Sequence, residues 1–235
     1  MVPCYNEANR LKIDSFLHFF QNYPLISFCF VDDGSKDDTA SLLKHLSEQN
    51  AGQVRYLQLV KNQGKAEAVR QGILSVSNEF AYIGYLDADL ATPLSEIPNF
   101  IKIIEQFPDL VLVAGSRISR MGAQIKRYWF RHYFGRIFAT IVSQMLKLPF
   151  YDTQCGAKLL KANVASQVFK EAFISPWLFD VEVIFRILKT HTDAAQSIYE
   201  LPLHQWEEQG ESKIKLKDLL KVPIELLKIW KKYQW

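Results

Sequence analysis

The chain of 235 residues is long enough to bury the core of one large or two small domains. Its composition, with 49% hydrophobic and 23% charged residues, is that of an ordinary globular protein and excludes a disordered or collagen-like chain. The formal net charge is only +3, but segments 117–136 and 213–232 are strongly basic, which favours an anionic partner at a defined place over general nucleic-acid binding.

The first half of the chain alternates strand-like and helix-like segments, as in α/β proteins. Buried strands are predicted at 25–31, 54–60, 80–86 and 110–114, and helices at 35–49, 64–76 and 95–107. Later in the chain, helices are predicted at 129–146, 164–172 and 180–189, and strands at 157–160 and 197–203. Short apolar strands predict a mainly parallel sheet flanked by helices, and such sheets bind ligands beyond the carboxyl ends of the strands.

The cysteines and the hydropathy of the chain indicate the cellular compartment in which it folds. The cysteines Cys4, Cys29 and Cys155 form no CxxC motif, and their odd number favours buried thiols in a reducing compartment over a disulfide framework. The longest uncharged stretch, 15–31, contains Pro24 and is shorter than the roughly 20 apolar residues that a membrane span needs. We therefore expect neither a membrane span nor a signal peptide.

Acidic residues follow two of the predicted strands: Asp32 and Asp33 after one, Asp87 and Asp89 after another. Two carboxylates at the end of a buried strand repel each other unless a cation or hydrogen-bond donors offset their charge. A divalent ion held together with a substrate diphosphate would do so, and such ions prefer oxygen ligands. In the alternative interpretation, Asp87 and Asp89 only cap the segment that follows them.

Two turns near these acids also have two interpretations. Gly34 and Ser35, after Asp32 and Asp33, fit a tight turn that presents a carboxylate to a base or a sugar, or a plain turn and helix cap. The segment 62–65, Asn-Gln-Gly-Lys, fits a turn whose amides and lysine meet phosphate, or a simple helix start. The residues alone leave both interpretations open.

Taken together and in order, these segments resemble the family 2 glycosyltransferases, which have the GT-A fold. The motifs that carry the resemblance are Pro3–Glu7, Val31–Ser35 with Asp38 and Thr39, Asn62–Lys65, Asp87–Asp89 and Gly115–Arg117. Two more segments, Asp152–Gly156 and Trp177–Glu182, are similar to the branch that makes polyprenyl-phosphate sugars, above all the dolichyl-phosphate β-glucosyltransferases. The resemblance implies a catalytic domain at 1–213, with a nucleotide-sugar-binding half at 1–116 and an acceptor-side half at 117–213.

The resemblance also implies a role for each matching residue. The nucleotide-sugar donor would be bound by Pro3, Tyr5, Glu7, Asp32, Asp33, Lys65, Asp87, Ser212 and Lys213. Asp89 would be the principal ligand of a Mg²⁺ or Mn²⁺ ion, with Asp87 beside it. Asp152 and Gln154 would lie near the donor sugar and Asp180, with Glu182, on the acceptor side. The implied catalytic set is Asp89, Asp152, Gln154 and Asp180.

The implied reaction is an inverting transfer of a hexose, glucose from UDP-glucose, to a polyprenyl or dolichyl phosphate at the cytoplasmic face of a membrane. A phosphate monoester is largely dianionic at pH 7, so this nucleophile needs no strong base. The basic segment 117–136 mixes arginines with aromatic side chains, which suits a phosphate on an apolar chain. We expect Arg117, Arg131 and Arg136 to bind the acceptor phosphate; the alternative is a solvated helix whose arginines face water.

Three features depart from the family. Ala91 stands where dolichyl-phosphate mannose synthases have a metal-binding glutamine, which argues against mannose, and Glu207 stands where they have an arginine. Many bacterial relatives also have membrane-spanning helices, which this sequence does not predict. Two alternatives therefore stay open: a transferase acting on a saccharide hydroxyl, with Asp152 or Asp180 as its base, and a non-catalytic nucleotide-sugar-binding module.

The two ends of the chain carry separate expectations. Residues 214–235 form a basic amphipathic tail that lies peripherally on a membrane surface or packs on the catalytic body. Pro223 is expected to divide this tail into two short helices. The motif Pro3–Glu7 follows a strand of which only Met1 and Val2 are present, which predicts an apolar, strand-forming stretch upstream. The sequence predicts no oligomeric state.

Overall fold

The computed structural model describes residues 1–77, 79–126, 129–191, 195–209 and 221–234, without the side chains of 129–134. The strands in this part of the chain are β1 (Val2–Cys4), β2 (Phe28–Asp32), β3 (Val54–Gln58), β4 (Tyr82–Tyr85), β5 (Leu112–Ser116), β6 (Gln124–Lys126), β7 (Lys158–Lys161), β8 (Ile198–Pro202) and β9 (Gln205–Glu207). The α-helices are α1 (Ile13–Asn22), α2 (Thr39–Gln49), α3 (Lys65–Val76), α4 (Ile97–Gln106), α5 (Trp129–Leu146), α6 (Ala162–Val168), α7 (Phe179–Thr190) and α8 (Val222–Tyr233).

The strands form a mainly parallel central sheet, as the sequence predicts. β1, β2 and β3 pair in parallel in that order, while β4, β7, β5 and β8 form a second group in which β7 alone is antiparallel to its neighbours. Met1 joins the two groups, because its nitrogen donates to the Gly84 carbonyl at 2.6 Å and its carbonyl accepts from Leu86 N–H at 3.0 Å. The carboxyl ends of β1, β2 and β4 therefore meet at one edge of the sheet. β6 and β9 form a separate parallel pair.

Helices cover both faces of this sheet. Successive residues of β5 alternate between two buried clusters: Leu112 and Ala114 pack with helices α3, α5, α6, α7 and α8, and Val113 packs with α1, α2 and α4. An aromatic group anchors α1, in which the ring of Phe16 lies 5.0 Å from that of Phe30 and 5.4 Å from that of Phe28, nearly edge-on. The apolar period of each helix thus fixes which face it covers.

Three predicted elements differ from the observed ones by three residues or more at one end. The predicted strand 25–31 begins at Phe28, because the Gln53 side chain binds the carbonyls of Tyr23 and Ile26 just before it. The predicted helix 164–172 ends at Val168, because the Arg186 guanidinium donates hydrogen bonds to the carbonyls of Val168, Glu171 and Ala172. The predicted helix 35–49 begins at Thr39, because residues 35–37 bind the loop after β1. The pair β6 and β9 was not predicted.

Helix α8 packs on the catalytic body through α7. The Tyr233 hydroxyl donates to Glu182 at 2.9 Å and accepts from Arg186 Nε at 3.0 Å, and Leu226 and Ile229 are buried. Pro223 lies in the first turn of α8, where proline is tolerated, and does not interrupt it. The other half of the predicted helix pair falls on residues outside the description. None of the helices in the described part of the chain is both long and apolar enough to cross a membrane.

Candidate functional site

The loop after β1 is fastened to the loop after β2 at the carboxyl edge of the sheet. Glu7 N–H donates to Thr39 Oγ1 at 2.8 Å, and Asn6 N–H donates to Ser35 Oγ at 3.0 Å. The Asn6 side chain accepts from Lys36 N–H at 2.9 Å, and Asn6 has a φ of 53°, which asparagine tolerates better than most residues. These bonds fix the backbone of the motif that begins at Pro3, a β1 residue opposite Val31, and continues through Tyr5 to Glu7.

Asp33 links two loops of this edge. Its carboxylate accepts hydrogen bonds from Gln63 N–H at 2.7 Å and Gly64 N–H at 2.8 Å. Burial raises the pKa of Asp33, although these two bonds oppose the shift. The close approach of the loops requires glycine at position 34, because a Cβ there would lie 2.6 Å from the Lys61 carbonyl carbon and φ is 66°. The predicted turn at 32–35 is therefore present.

Asp32 has an open hydrogen-bonding position. The residue is fully buried, and its Oδ1 accepts from Ser35 N–H at 3.0 Å. Its Oδ2 has no hydrogen-bond partner in the structure. A buried carboxylate oxygen without a donor is costly, which makes Asp32 Oδ2 a ready acceptor for an N–H group of a ligand.

The acid pair Asp87 and Asp89 lies on the turn after β4, facing two cations. Lys65 Nζ makes a close ion pair with Asp87 Oδ1, and Arg10 Nη2 lies 3.7 Å from Asp89 Oδ2. Burial and the neighbouring Asp87 raise the pKa of Asp89. Burial lowers the pKa of Lys65, but the carboxylates Asp87, Asp180 and Asp89 outweigh it and the net shift is upward. The side chains at this turn are therefore held together by charge.

Gly156 lies against the Asp87 carboxylate, and its lack of a side chain leaves room for that group. A Cβ at position 156 would collide with Asp87 Oδ2. The segment 152–156 therefore packs directly against Asp87, and the structure brings together two motifs that are more than 60 residues apart in the sequence.

A divalent cation fits this acid pair only with further ligands. No group of three or more His, Cys, Asp or Glu side chains with metal-site geometry is present among the described residues. Mg²⁺ and similar ions are commonly held by one or two carboxylates together with substrate phosphates. Burial, followed by the charge of Asp87, raises the pKa of Asp89, and such an ion would offset both effects. The pair therefore suits an ion that arrives with a diphosphate.

Arg117 and Asp152, predicted as separate site residues, are paired with each other. Arg117 donates from Nε to Asp152 Oδ2 at 2.6 Å and from Nη2 to Oδ1 at 2.7 Å, a bidentate geometry. Glu200 fixes the backbone beneath them, because it accepts from the N–H groups of Tyr151 and Asp152 at 2.8 and 2.5 Å. Burial raises the pKa of Glu200.

Asp180 is held in a buried ion pair. Lys158 Nζ and the Tyr85 hydroxyl both donate to Asp180 Oδ1, each at 2.6 Å. Lys158 also donates to the carbonyls of Thr153 and Cys155, which lie beside the acid pair in the 152–156 segment. Burial, followed by the charge of Asp180, raises the pKa of Tyr85 well above its usual value. The network therefore fixes the position of the Asp180 carboxylate.

The remaining predicted residues are distributed unevenly. Gln154 Nε2 is buried without a hydrogen-bond partner, so Gln154 also has an unused polar group. Arg136 donates to the Tyr151 carbonyl at 2.9 Å and lies 3.7 Å from the centre of the Tyr151 ring. Glu182 faces α8 instead of this edge. The Arg131 side chain, Ser212 and Lys213 lie outside the described residues.

Three residues of the site escaped the sequence interpretation: Arg10, Lys158 and Glu200. Arg10 follows Glu7 by three residues, a spacing common to many surface ion pairs. Lys158 carried a weak signal, since a lysine at the start of an otherwise apolar predicted strand needs a buried partner. Glu200 occupies a predicted strand and had no signal at all.

A large apolar cavity lies elsewhere. It has a volume of 710 Å³ and lies between β2, β4 and α4, lined by apolar residues such as Phe28, Ile83 and Ile101. None of the predicted site residues lines this cavity. The candidate site is therefore the open carboxyl edge of the sheet, where the charged residues converge.

Comparison with known proteins gives consistent matches. The family model described as "Glycosyl transferase family 2" matches residues 1–169. The dolichyl-phosphate beta-glucosyltransferase of Dictyostelium discoideum is 30% identical over 256 residues, which cover 98% of this chain and 75% of that protein. The human protein of the same name is 33% identical over 199 residues, which cover 79% of this chain and 61% of that protein.

Among solved structures, glucosyl-3-phosphoglycerate synthase from Mycobacterium tuberculosis in complex with Mn²⁺ and UDP-glucose matches with a TM-score of 0.71. The sequence identity is 14%, and the match covers 98% of this chain and 77% of that chain. At this level of identity the likeness concerns the fold. It confirms the predicted α/β fold class, with a mostly parallel sheet flanked by helices.

Proposed function

Because this chain belongs to glycosyl transferase family 2, as the sequence resemblance predicted, we propose that it transfers glucose from UDP-glucose to a dolichyl or other polyprenyl phosphate. The acceptor and the sugar are supported by the relatives named dolichyl-phosphate beta-glucosyltransferase. The donor is supported by the structural neighbour that holds UDP-glucose. One in-line displacement on an α-linked donor gives a β-linked product.

The donor would lie at the carboxyl edge of the sheet. Asp32 Oδ2, buried and without a donor, is suited to accept from a ring N–H of a base such as uracil. Pro3, Tyr5 and Glu7 would line the nucleoside pocket beside it. Lys65 would lie against the diphosphate, and Asp33 would hold the loops around it through Gln63 and Gly64. Ser212 and Lys213 would close over the diphosphate; both lie outside the described residues.

Asp87 and Asp89 would hold a Mg²⁺ or Mn²⁺ ion together with the donor diphosphate. When bound, such an ion supplies positive charge that stabilises the nucleoside diphosphate as it leaves. The residues fit this role, because burial and the neighbouring Asp87 already raise the pKa of Asp89. Gln154, with its unpaired buried amide, would lie near the donor sugar.

The observation that carries the choice of acceptor is the pairing of both candidate bases. A saccharide hydroxyl needs a general base, and the residues proposed for that role were Asp152 and Asp180. Asp152 is bound bidentately by Arg117, and Asp180 by Lys158 and Tyr85. Oxygens of both carboxylates already accept hydrogen bonds from cationic side chains, which makes the two residues poor candidates for a general base. A phosphate dianion needs no such base, so the geometry favours the lipid phosphate.

Arginines of the basic segment would bind that phosphate. Arg136 lies beside Tyr151 at the end of the Asp152 loop, and Arg131 lies one and a half turns before it on α5. Arg117 would act by holding the Asp152 loop as well as by its charge. The proposed binding region therefore joins the acceptor-side half, 117–213, to the carboxyl edge of the sheet where the donor would bind, called the donor edge below.

A polyprenyl acceptor implies work at a membrane surface, and we place the protein peripherally at the cytoplasmic face. Helix α8 exposes Ile224, Leu227 and Trp230 to solvent. Lys228 and Lys231 lie on the same helix. Apolar side chains interspersed with lysines suit the interface of an anionic membrane.

The test is an assay of the purified chain with nucleotide sugars, Mn²⁺ and dolichyl phosphate, followed by extraction into organic solvent. We expect radiolabel from UDP-glucose in the organic phase, released by mild acid, and none with dolichol that lacks the phosphate. Label that appears only on added saccharides would contradict the acceptor, and label from another donor would contradict the sugar or the base.

A further inference from the structure

Arg10 lies between two carboxylates at the donor edge. Its Nη2 is 3.7 Å from Asp89 Oδ2, and its Nε is 3.6 Å from Glu7 Oε2. The Arg10 side chain is 37% exposed, whereas that of Glu7 is 7% exposed. Glu7 is thus fixed in the protein, and the guanidinium beside it has room to move.

The backbone around Arg10 is held firmly. Arg10 N–H donates to the Glu7 carbonyl at 2.9 Å, and Glu7 N–H donates to Thr39 Oγ1. A change in the position of the Arg10 charge therefore involves its side chain and leaves the loop in place.

Two cations of the protein face the acid pair. Lys65 is in close contact with Asp87, and Arg10 faces Asp89 at the longer distance. A divalent ion on Asp89 would add two positive charges next to the guanidinium of Arg10, and like charges at such distances repel each other. Arg10 has to withdraw from Asp89 when the ion binds, and Glu7 is the second carboxylate within its reach.

We propose that Arg10 is a resident counter-ion of Asp89, which a divalent ion displaces toward Glu7. The inference rests on the proposed function, since it takes Asp89 as a metal ligand. Arg10 is then a positioning residue that keeps the acid pair balanced when no metal is bound. It weakens binding of the ion alone, so that tight binding requires the added negative charge of a diphosphate.

The experiment measures Mn²⁺ binding to the full chain by the electron paramagnetic resonance signal of the free ion, at neutral pH and low salt. Arg10→Gln should lower the dissociation constant for Mn²⁺ alone roughly five- to tenfold, since it removes a unit charge a few ångströms from a divalent ion. Glu7→Gln should raise it roughly threefold, because Arg10 loses its second partner and stays on Asp89.

Two matched variants complete the design. Arg10→Lys keeps the charge and should bind Mn²⁺ nearly as wild type does. Lys12→Gln removes an exposed positive charge two residues away and should leave Mn²⁺ binding unchanged. A purely structural role for Arg10 would shift the Arg10 and Glu7 variants in the same direction, so their opposite signs are the diagnostic result.

Unchanged or weaker Mn²⁺ binding by Arg10→Gln, with thermal unfolding like that of wild type, would overturn the inference. Asp89→Asn separates this failure from failure of the proposed function. Loss of Mn²⁺ binding in Asp89→Asn with no effect of Arg10→Gln leaves the metal site standing and removes only the role of Arg10. Absence of Mn²⁺ binding by wild type, even with UDP present, would overturn both.

Discussion

The proposed donor edge and the proposed acceptor side differ in how fully their carboxylates are paired within the protein. At the donor edge, Asp32 keeps a buried oxygen without a partner, and Asp89, besides a hydrogen bond from Ala91 N–H at 3.0 Å, faces a guanidinium 3.7 Å away. On the acceptor side, Asp152 and Asp180 are each held by a close ion pair at 2.6 Å. The first arrangement leaves charge to be matched by a ligand, and the second matches it within the protein. The carboxylates of the candidate site thus divide into those with room for a ligand and those already paired with a side chain of the protein.

The sharpest way to break this comparison is to remove the buried partner of Asp180. Lys158→Met should cost about 3–5 kcal/mol of unfolding free energy, because it leaves a buried carboxylate without its cation. Denaturant unfolding followed by circular dichroism measures the loss. Lys158→Met combined with Asp180→Asn should recover part of that stability. A single variant as stable as wild type would show that Asp180 is not held in this way.

The corresponding change at the donor edge should affect activity and spare the fold. Asp89→Asn should reduce transfer at least a hundredfold, since it removes a proposed metal ligand. Its melting temperature should be unchanged or higher, because the raised pKa of Asp89 shows that the ionised carboxylate is unfavourable there. Asp109→Asn, in an exposed turn, is the matched control. Full transfer activity in Asp89→Asn would refute the metal role.

Much of this contrast was out of reach of the sequence. Most of the strands, the acid pair and the glycines at 34 and 64 follow from local pattern, and the structure has them at or within a few residues of the predicted positions. The pairing of Arg117 with Asp152 depends on the fold, because 35 residues separate them and nothing local indicates that they meet. Lys158 and Asp180, 22 residues apart, are joined in the same way. Sequence motifs identified the carboxylates but not their partners.

An effect of intermediate size is expected from the basic segment 117–136. Arg136→Ala should raise the KM for dolichyl phosphate roughly tenfold and leave the KM for the nucleotide sugar unchanged, since a charge-assisted hydrogen bond to phosphate is worth about 1.5–3 kcal/mol. Arg120→Ala, an exposed arginine of the same segment, is the control and should change neither constant. An equal loss of donor affinity would place Arg136 at the donor edge instead.

The smallest expected effect concerns the contact that fixes α8 to α7. Burial and the charge of Glu182 raise the pKa of Tyr233 to about 12, against about 10 in an unfolded chain. Between these two values the folded protein keeps a proton that the unfolded chain releases, so Tyr233 stabilises the fold fully below pH 10 and its contribution is lost as pH rises toward 12.

Tyr233→Phe lacks the hydroxyl that donates to Glu182 and accepts from Arg186, and should lose about 1 kcal/mol of unfolding free energy at neutral pH. Thermal unfolding of both proteins as a function of pH gives the comparison: the difference between them should shrink above pH 10. A difference that stays constant to pH 12 would show that the hydroxyl of Tyr233 is not buried against Glu182, and would detach α8 from the acceptor-side network.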